Sequence, residues 1–310
     1  MKKTIVAAAV AALVAAPAAF AEVTVYGKMH YALVDTDANG TQTEDYNNNA
    51  TRWGLKGSED LGNGMKAFFQ NEFGMNTIDG ATETARDAFV GISGDFGKVT
   101  AGRMSAPTKG LLYGIGNVQI ADINHGEAGD FAGAFTSKGH RVSNALAYSN
   151  SFGGVNVTAA ITGDQGAAGV GTGTDFSENK SFSIDTTVAG VKVGYASLNY
   201  GSGQGSDVDI FGAKMTMDAL TIGLAYEDVD STNDTTGVSL SYKMGNNSFN
   251  VAFAETDVDA GSATDHDTTV VSLQHSLSKR TTVYVGYSEV DSNTAASDID
   301  STSVGLIHTF

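Results

Sequence analysis

The chain contains no cysteine, so disulfide frameworks and thiolate metal sites are excluded. Proline occurs only at Pro17 and Pro107, and so few breaks suit a chain that is nearly all hydrogen-bonded strand. Basic residues are scarce: 18 Lys and Arg stand against 35 Asp and Glu, a formal net charge of −17. Nothing in so acidic a chain offsets repulsion from phosphates, which excludes nucleic-acid binding. Beyond the N-terminus there is no apolar run long enough for a transmembrane helix. The six histidines (His30, His125, His140, His266, His275 and His308) lack ligand spacing. No Ser/His/Asp geometry or phosphate loop emerges either, so no catalytic residue, metal or cofactor is expected. The Asp-rich stretches 228–234 and 257–267 lack the ordered spacing of a calcium loop. They read as solvated outer loops or weak bridges to anionic lipid.

The start of the chain is apolar but short. Met1-Lys2-Lys3 precedes a run of Ala, Val, Ile and Leu, then Pro17, and Ala19-Phe20-Ala21 puts small residues at −3 and −1 of a cut. This pattern predicts a secretory signal peptide over 1–21, cleaved before Glu22. The mature chain is then 22–310, and losing Lys2 and Lys3 takes the formal charge from −17 to −19.

What the mature chain has in abundance is alternation with a period of two. Val23, Val25, Met29, Tyr31 and Leu33 fall on one face of the first segment; Thr24, Tyr26, Lys28 and His30 fall on the other. Similar segments lie at 51–59, 64–75, 86–94 and 97–104, before one long loop. After it come 141–149, 155–163, 180–188, 191–200, 207–217, 219–229, 235–244, 248–257, 267–277, 281–290 and 300–310. That makes 16 strands, each near the ~10 residues that cross a bilayer when tilted. Tight turns such as 60–63, 95–96 and 189–190 alternate with longer polar loops such as 35–50, 164–179 and 291–299. The expected fold is all-β: a transmembrane antiparallel barrel with both termini on the short-turn, periplasmic side. Closure satisfies every backbone group in lipid, which an open sheet does not. Trp53, Phe69, Phe73, Phe89, Tyr148, Tyr195, Phe249 and Tyr287 read as interfacial girdle residues.

Parity then assigns the lumen. Trp53 and Leu55 go out, so Arg52 and Lys56 go in; Val142 and Leu146 go out, so Arg141 goes in. Tyr26 and Lys28 point in together, and Arg86 points in if Phe89 points out. Phe69 and Phe73 place Gln70 and Glu72 inside, while Asn71, Asp87 and Arg103 fall among outward apolar residues. A lipid-facing Arg or Lys costs about 2–4 kcal/mol at the midplane, which favours lumenal placement of the bases.

The outlier is 105–140, a long connection with several glycines and the acids Asp122, Glu127 and Asp130. Loops of this length tend to be functional. With it, the sequence resembles the trimeric general porins of Gram-negative outer membranes. The match rests on Tyr26-Gly27-Lys28, 51–57 with Gly62, 86–91, Gly97, Gly102-Arg103, 141–149 and the terminal Phe310. The resemblance covers the whole mature chain. It implies that 105–140 folds inward as a constriction loop, with Asp122, Glu127 or Asp130 facing a basic wall of Lys28, Arg52, Arg86 and Arg141. Which acid faces the narrowest point stays open, because the pattern over 121–133 departs from the usual one. The resemblance also implies a homotrimer packed through the first strands, seated among outer-membrane lipid and lipopolysaccharide. Phe310 matches the signal read by the barrel-assembly machinery. The implied function is passive diffusion of small hydrophilic solutes and ions through a water-filled pore. The alternatives are a solute-selective channel and a structural or adhesive barrel with a plugged lumen. The charge of −19 favours cations at the mouths although four bases line the eyelet, and the balance leans to cation selectivity.

Overall fold

An extended chain with one apolar face is stable in lipid only when each strand is paired on both edges. The structure, a computed structural model, describes residues 22–76, 78, 80–117, 131–163, 176–201, 205–259, 265–293 and 298–310. The expected signal peptide and the acids Asp122, Glu127 and Asp130 lie outside these residues. β1 (Glu22–Ala38), β2 (Thr41–Asn48), β3 (Arg52–Gly62), β4 (Met65–Asn76), β5 (Ala81–Gly94) and β6 (Gly97–Ser105) precede the long loop. β7 (Arg141–Phe152), β8 (Val155–Gly163), β9 (Phe176–Val188), β10 (Val191–Asn199), β11 (Val208–Met217) and β12 (Leu220–Val229) follow. β13 (Asn233–Met244), β14 (Asn247–Val258), β15 (His266–Ser276), β16 (Thr281–Ser292) and β17 (Ile299–Thr309) complete the wall.

Every neighbour is antiparallel, and β1 pairs with β17 from Lys28↔Thr309 to Ala38↔Ile299, which closes the sheet. β2 and β3 both pair with β1 and form one wall strand, broken at 49–51 where Ala50 takes φ +55°. The wall therefore has 16 strands, as the alternation predicts. The segment 35–50 is a correction. It is no open loop: β1 and β2 run on to a tight turn at Asn39-Gly40, capped by the Gly40 N–H donating to Asp37 Oδ1 at 2.7 Å. Here both faces stand in water, so alternation vanishes while the hydrogen-bond ladder continues.

The outer face carries the apolar set, with Leu33 63% and Val304 58% exposed in the isolated chain. A continuous band of such residues requires lipid around it. Above the band, at the long-loop end, outward carboxylates stand directly opposite one another. Asp209 faces Asp228, Asp228 faces Asp234, and Asp234 faces Asp257.

The long loop turns inward. It holds α1 (Pro107–Gly114), with proline in the first turn where its missing N–H costs nothing, and two 3₁₀ turns, Phe131–Ala134 and Thr136–Gly139. Leu111, Leu112, Ile115, Phe131 and Phe135 are buried against inward residues of the far wall, among them Ala196, Ile210, Ala225 and Ala254. The inner face is thus not polar throughout; where the loop lies on it, it is small and apolar. A Cβ at Gly194 would stand 2.6 Å from Leu111 Cδ1, and one at Gly237 would stand 2.7 Å from Phe135 Cζ. Glycine inside these strands makes the groove in which the loop is seated.

Candidate pore constriction

Opposite that groove, β1, β3, β4 and β5 present an inward row of charge. Lys28 is the register partner of Arg52, and Arg52 is the partner of Gly74. Gly74 leaves space for the next base: a Cβ there would lie 3.4 Å from Arg86 Cδ. Glu72 joins the row. Its Oε1 accepts from Arg86 Nε at 2.6 Å, its Oε2 accepts from the Tyr26 hydroxyl at 3.1 Å, and Arg52 Nε stands 3.7 Å away. Lys56 Nζ lies 5.0 Å from the centroid of the Tyr26 ring. Arg141 Nε donates to Asp87 Oδ1 at 2.8 Å, and Ser105 Oγ reaches the same oxygen at 3.5 Å. The structure therefore brings Tyr26, Arg52, Lys56, Glu72 and Arg86 into one cluster with Lys28 at its edge. Arg141 sits in a neighbouring pair with Asp87.

Two bulges decide which side chains join. Between Asn71↔Ala88 and Phe73↔Ala85 the register slips by one, so Arg86 and Asp87 share the place opposite Glu72. Parity does not carry across such a slip. Arg86 and Phe89 both face inward, so Phe89 is not a girdle residue, and Asp87 is held by Arg141 rather than left among outward apolar side chains. A second slip, between Gly102↔Ala145 and Met104↔Val142, puts Arg103 opposite Ser143 and Asn144. Val142, expected outward, is instead buried with Met104 and Ala147, and Phe89 packs on them. Arg103 donates to Ser143 Oγ at 2.5 Å.

The loop is tied to the wall at its roots. Glu227, fully buried on β12, accepts the backbone N–H of Thr136 at 2.6 Å and of Ser137 at 3.0 Å. Lys214 Nζ donates to the Gly114 carbonyl at the end of α1. The described parts of the loop carry Lys109, Lys138 and His140 and no acid. Lys109, on α1, is pushed down to about 7, chiefly by burial and then by Arg141 and Arg86 beside it.

A row of inward bases facing an inserted loop, inside a closed antiparallel wall, is the arrangement of a constricted pore. Residues 7–295 match the family described as Gram-negative porin. The chain belongs to that family. The major outer membrane protein P.IB of Neisseria gonorrhoeae is 27% identical over 99% of this chain and 99% of its own length. The anion-selective porin from Comamonas acidovorans superposes with a TM-score of 0.75 at 20% identity, covering 94% of this chain and 100% of that one. OmpT of Vibrio cholerae, solved in a trimer form, superposes with a TM-score of 0.68 at 15% identity, covering 94% and 99%. This porin is accordingly an outer-membrane diffusion pore.

At the closing seam Phe310 exchanges backbone hydrogen bonds of 3.1 Å with Gly27 in both directions, and the tip of its ring lies over that glycine. A side chain at Gly27 would occupy the ring's place. Asp87, Glu227 and Lys109 went unread in the sequence as parts of this site, as did the seating glycines. The signal for the glycines was there: Gly194, Gly212 and Gly237 sit inside strands, where a missing side chain marks close approach of another element.

Proposed function

We propose that this porin is a general diffusion channel for small hydrophilic solutes with a preference for anions. The observation that carries the reading is the placement of charge. Lys28, Arg52, Lys56, Arg86 and Arg141 gather on one wall with Lys109 beside them, against Glu72 and Asp87. The loop acids Asp122, Glu127 and Asp130 would face this wall and set up a transverse field that orients polar solutes. Among the described residues of this wall the bases outnumber the acids. The expectation of cation selectivity from the net charge is therefore revised: outward carboxylates such as Asp228 and Asp234 carry much of that charge, away from the lumen.

The working form would be a homotrimer, supported by the trimeric form of the Vibrio relative. Exposed Val23 and Val25 on β1, with half-buried Leu55 on β3, offer an apolar face for subunit contact or lipid. Export would remove residues 1–21, Phe310 would serve recognition by the barrel-assembly machinery, and the outer rim would meet lipopolysaccharide. Planar-bilayer recording tests the reading. Conductance should rise in groups of three steps, and the reversal potential in a potassium chloride gradient should follow chloride. A silent bilayer, or a potential that follows potassium, would refute it.

A further inference from the structure

From Lys56, at the short-turn edge of the constriction cluster, the same wall continues towards the short-turn end into a second feature. Lys56 lies four residues beyond Arg52 on β3, about 13 Å along the strand. It shares a cleft of about 390 Å³ with Phe68, Gln70, Phe89, Lys98 and Glu22. Phe68 and Phe89 face inward because they pair with Gly91 and Gln70. The tip of the Phe68 ring lies over Gly91, where any Cβ would meet it, and the ring of Phe89 meets it edge to face at 6.3 Å. Lys98 Nζ stands 4.8 Å from the Phe68 centroid and 5.9 Å from that of Phe89. Both lysines are exposed to the lumen, and neither makes an ion pair among the described residues.

Phe89 packs on Met104 and Ala147 and Phe68 on Gly91, yet both rings stay half-exposed and line the cleft, which leaves an apolar ledge in a water-filled passage. Water gains nothing from an aromatic ledge, and an inorganic ion has no use for one. A ring bearing a carboxylate has use for both parts: it can lie against the ledge while Lys56 and Lys98 pair with its charge. The cleft volume falls within the range of small-ligand sites.

We infer that this ledge is a subsite for aromatic carboxylates, which anions reach after passing the constriction. The inference rests on the anion-preferring pore proposed above and names a solute class for it. Glu22, the acid in the lining, weakens the site and keeps it one for transit rather than retention.

Current recordings of the full chain in potassium chloride, with benzoate, benzamide or acetate added on the short-turn side, test it. Benzoate should interrupt the open current in a concentration-dependent way, while acetate and benzamide at the same concentration should not. The half-blocking concentration should rise about tenfold in K56Q/K98Q, rise less in F68L, and fall in E22Q. Block by acetate or benzamide as strong as that by benzoate would overturn the subsite, as would block unchanged in K56Q/K98Q. Conductance and chloride selectivity, recorded before any addition, separate this failure from failure of the pore reading. A channel that conducts chloride and ignores benzoate refutes the subsite alone. Broadening of benzoate ring-proton lines by the detergent-solubilised protein reads the same site without any current, and unbroadened lines would equally overturn it.

Discussion

Replacing Glu227 with leucine should release the constriction loop. The carboxylate is fully buried and takes two backbone N–H groups of the loop, Thr136 at 2.6 Å and Ser137 at 3.0 Å. Leucine fills a similar space and accepts nothing, so both donors lose their partner. A buried donor left unsatisfied costs about 1–3 kcal/mol. Water from the lumen can reach part of the site once the carboxylate is gone, which brings the total to about 2–4 kcal/mol. That penalty falls on the seated loop and not on a displaced one. Each 1.4 kcal/mol is a factor of ten, so the displaced population should rise about 30- to 1,000-fold.

Single-channel recording reads this directly. The parent protein should give quiet open levels, and E227L should flicker between the parent level and a larger one. The larger level should admit neutral sugars that the parent excludes. Glu227→Gln keeps one acceptor and should fall between the two. A quiet E227L channel at the parent conductance would refute the argument. It would mean that the apolar seat of Leu111, Leu112, Phe131 and Phe135 holds the loop without this tether.

Three further outcomes follow from the same contacts. Gly194→Leu should displace α1, because its Cβ alone would stand 2.6 Å from Leu111 Cδ1; shortening the opposing side chain in G194L/L111A should restore the parent conductance, and a G194L channel identical to the parent would deny the close approach. Lys109 lies on the loop with its pKa lowered to about 7, so it is charged below that pH and neutral above it; chloride preference should therefore grow as pH falls from 8 to 6 and lose that slope in K109M, as reversal potentials would report. Asp234 faces Asp228 and Asp257 across the outer rim, and like charges directly opposite cost about 0.2–1 kcal/mol each. D234N should therefore raise the thermal midpoint in low salt and gain little in high salt, where the repulsion is already screened.

The parts of this fold that were legible in the sequence are those that lipid dictates. Val23, Val25, Leu33, Leu224, Leu240 and Leu306 alternate because one face touches hydrocarbon, and the strand count and short turns follow from that. What parity misreads lies where the ladder slips. Nothing in Arg86-Asp87-Ala88-Phe89 announces a bulge, so Phe89 reads as outward when the register turns it inward. The polar stretch 35–50 fails for another reason: above the membrane both faces of a hairpin are wet, and periodicity carries no information there. Lys28, Arg52, Arg86 and Glu72 could be gathered from facing alone, but their height along the pore could not. Only the register pairs of β1, β3, β4 and β5 supply it.

Net charge is a poor guide to selectivity in a barrel because the wall separates two populations of charge that a sum adds together. Asp209, Asp228, Asp234 and Asp257 stand in one register line on the outer face, with carboxylate opposite carboxylate and no base between them. Such a line is tolerable only in water, where counter-ions screen it, so it marks the height at which the apolar band ends. Inside, the strands that turn towards the constriction gather Arg52, Arg86 and Lys28 around a single Glu72. An ion at the narrowest point lies within a Debye length of these bases, and the outer line is screened from it by water and shielded by the wall. On the reading proposed above, the field that a permeating solute feels would be opposite in sign to the charge of the chain, and selectivity would follow the few residues that face inward.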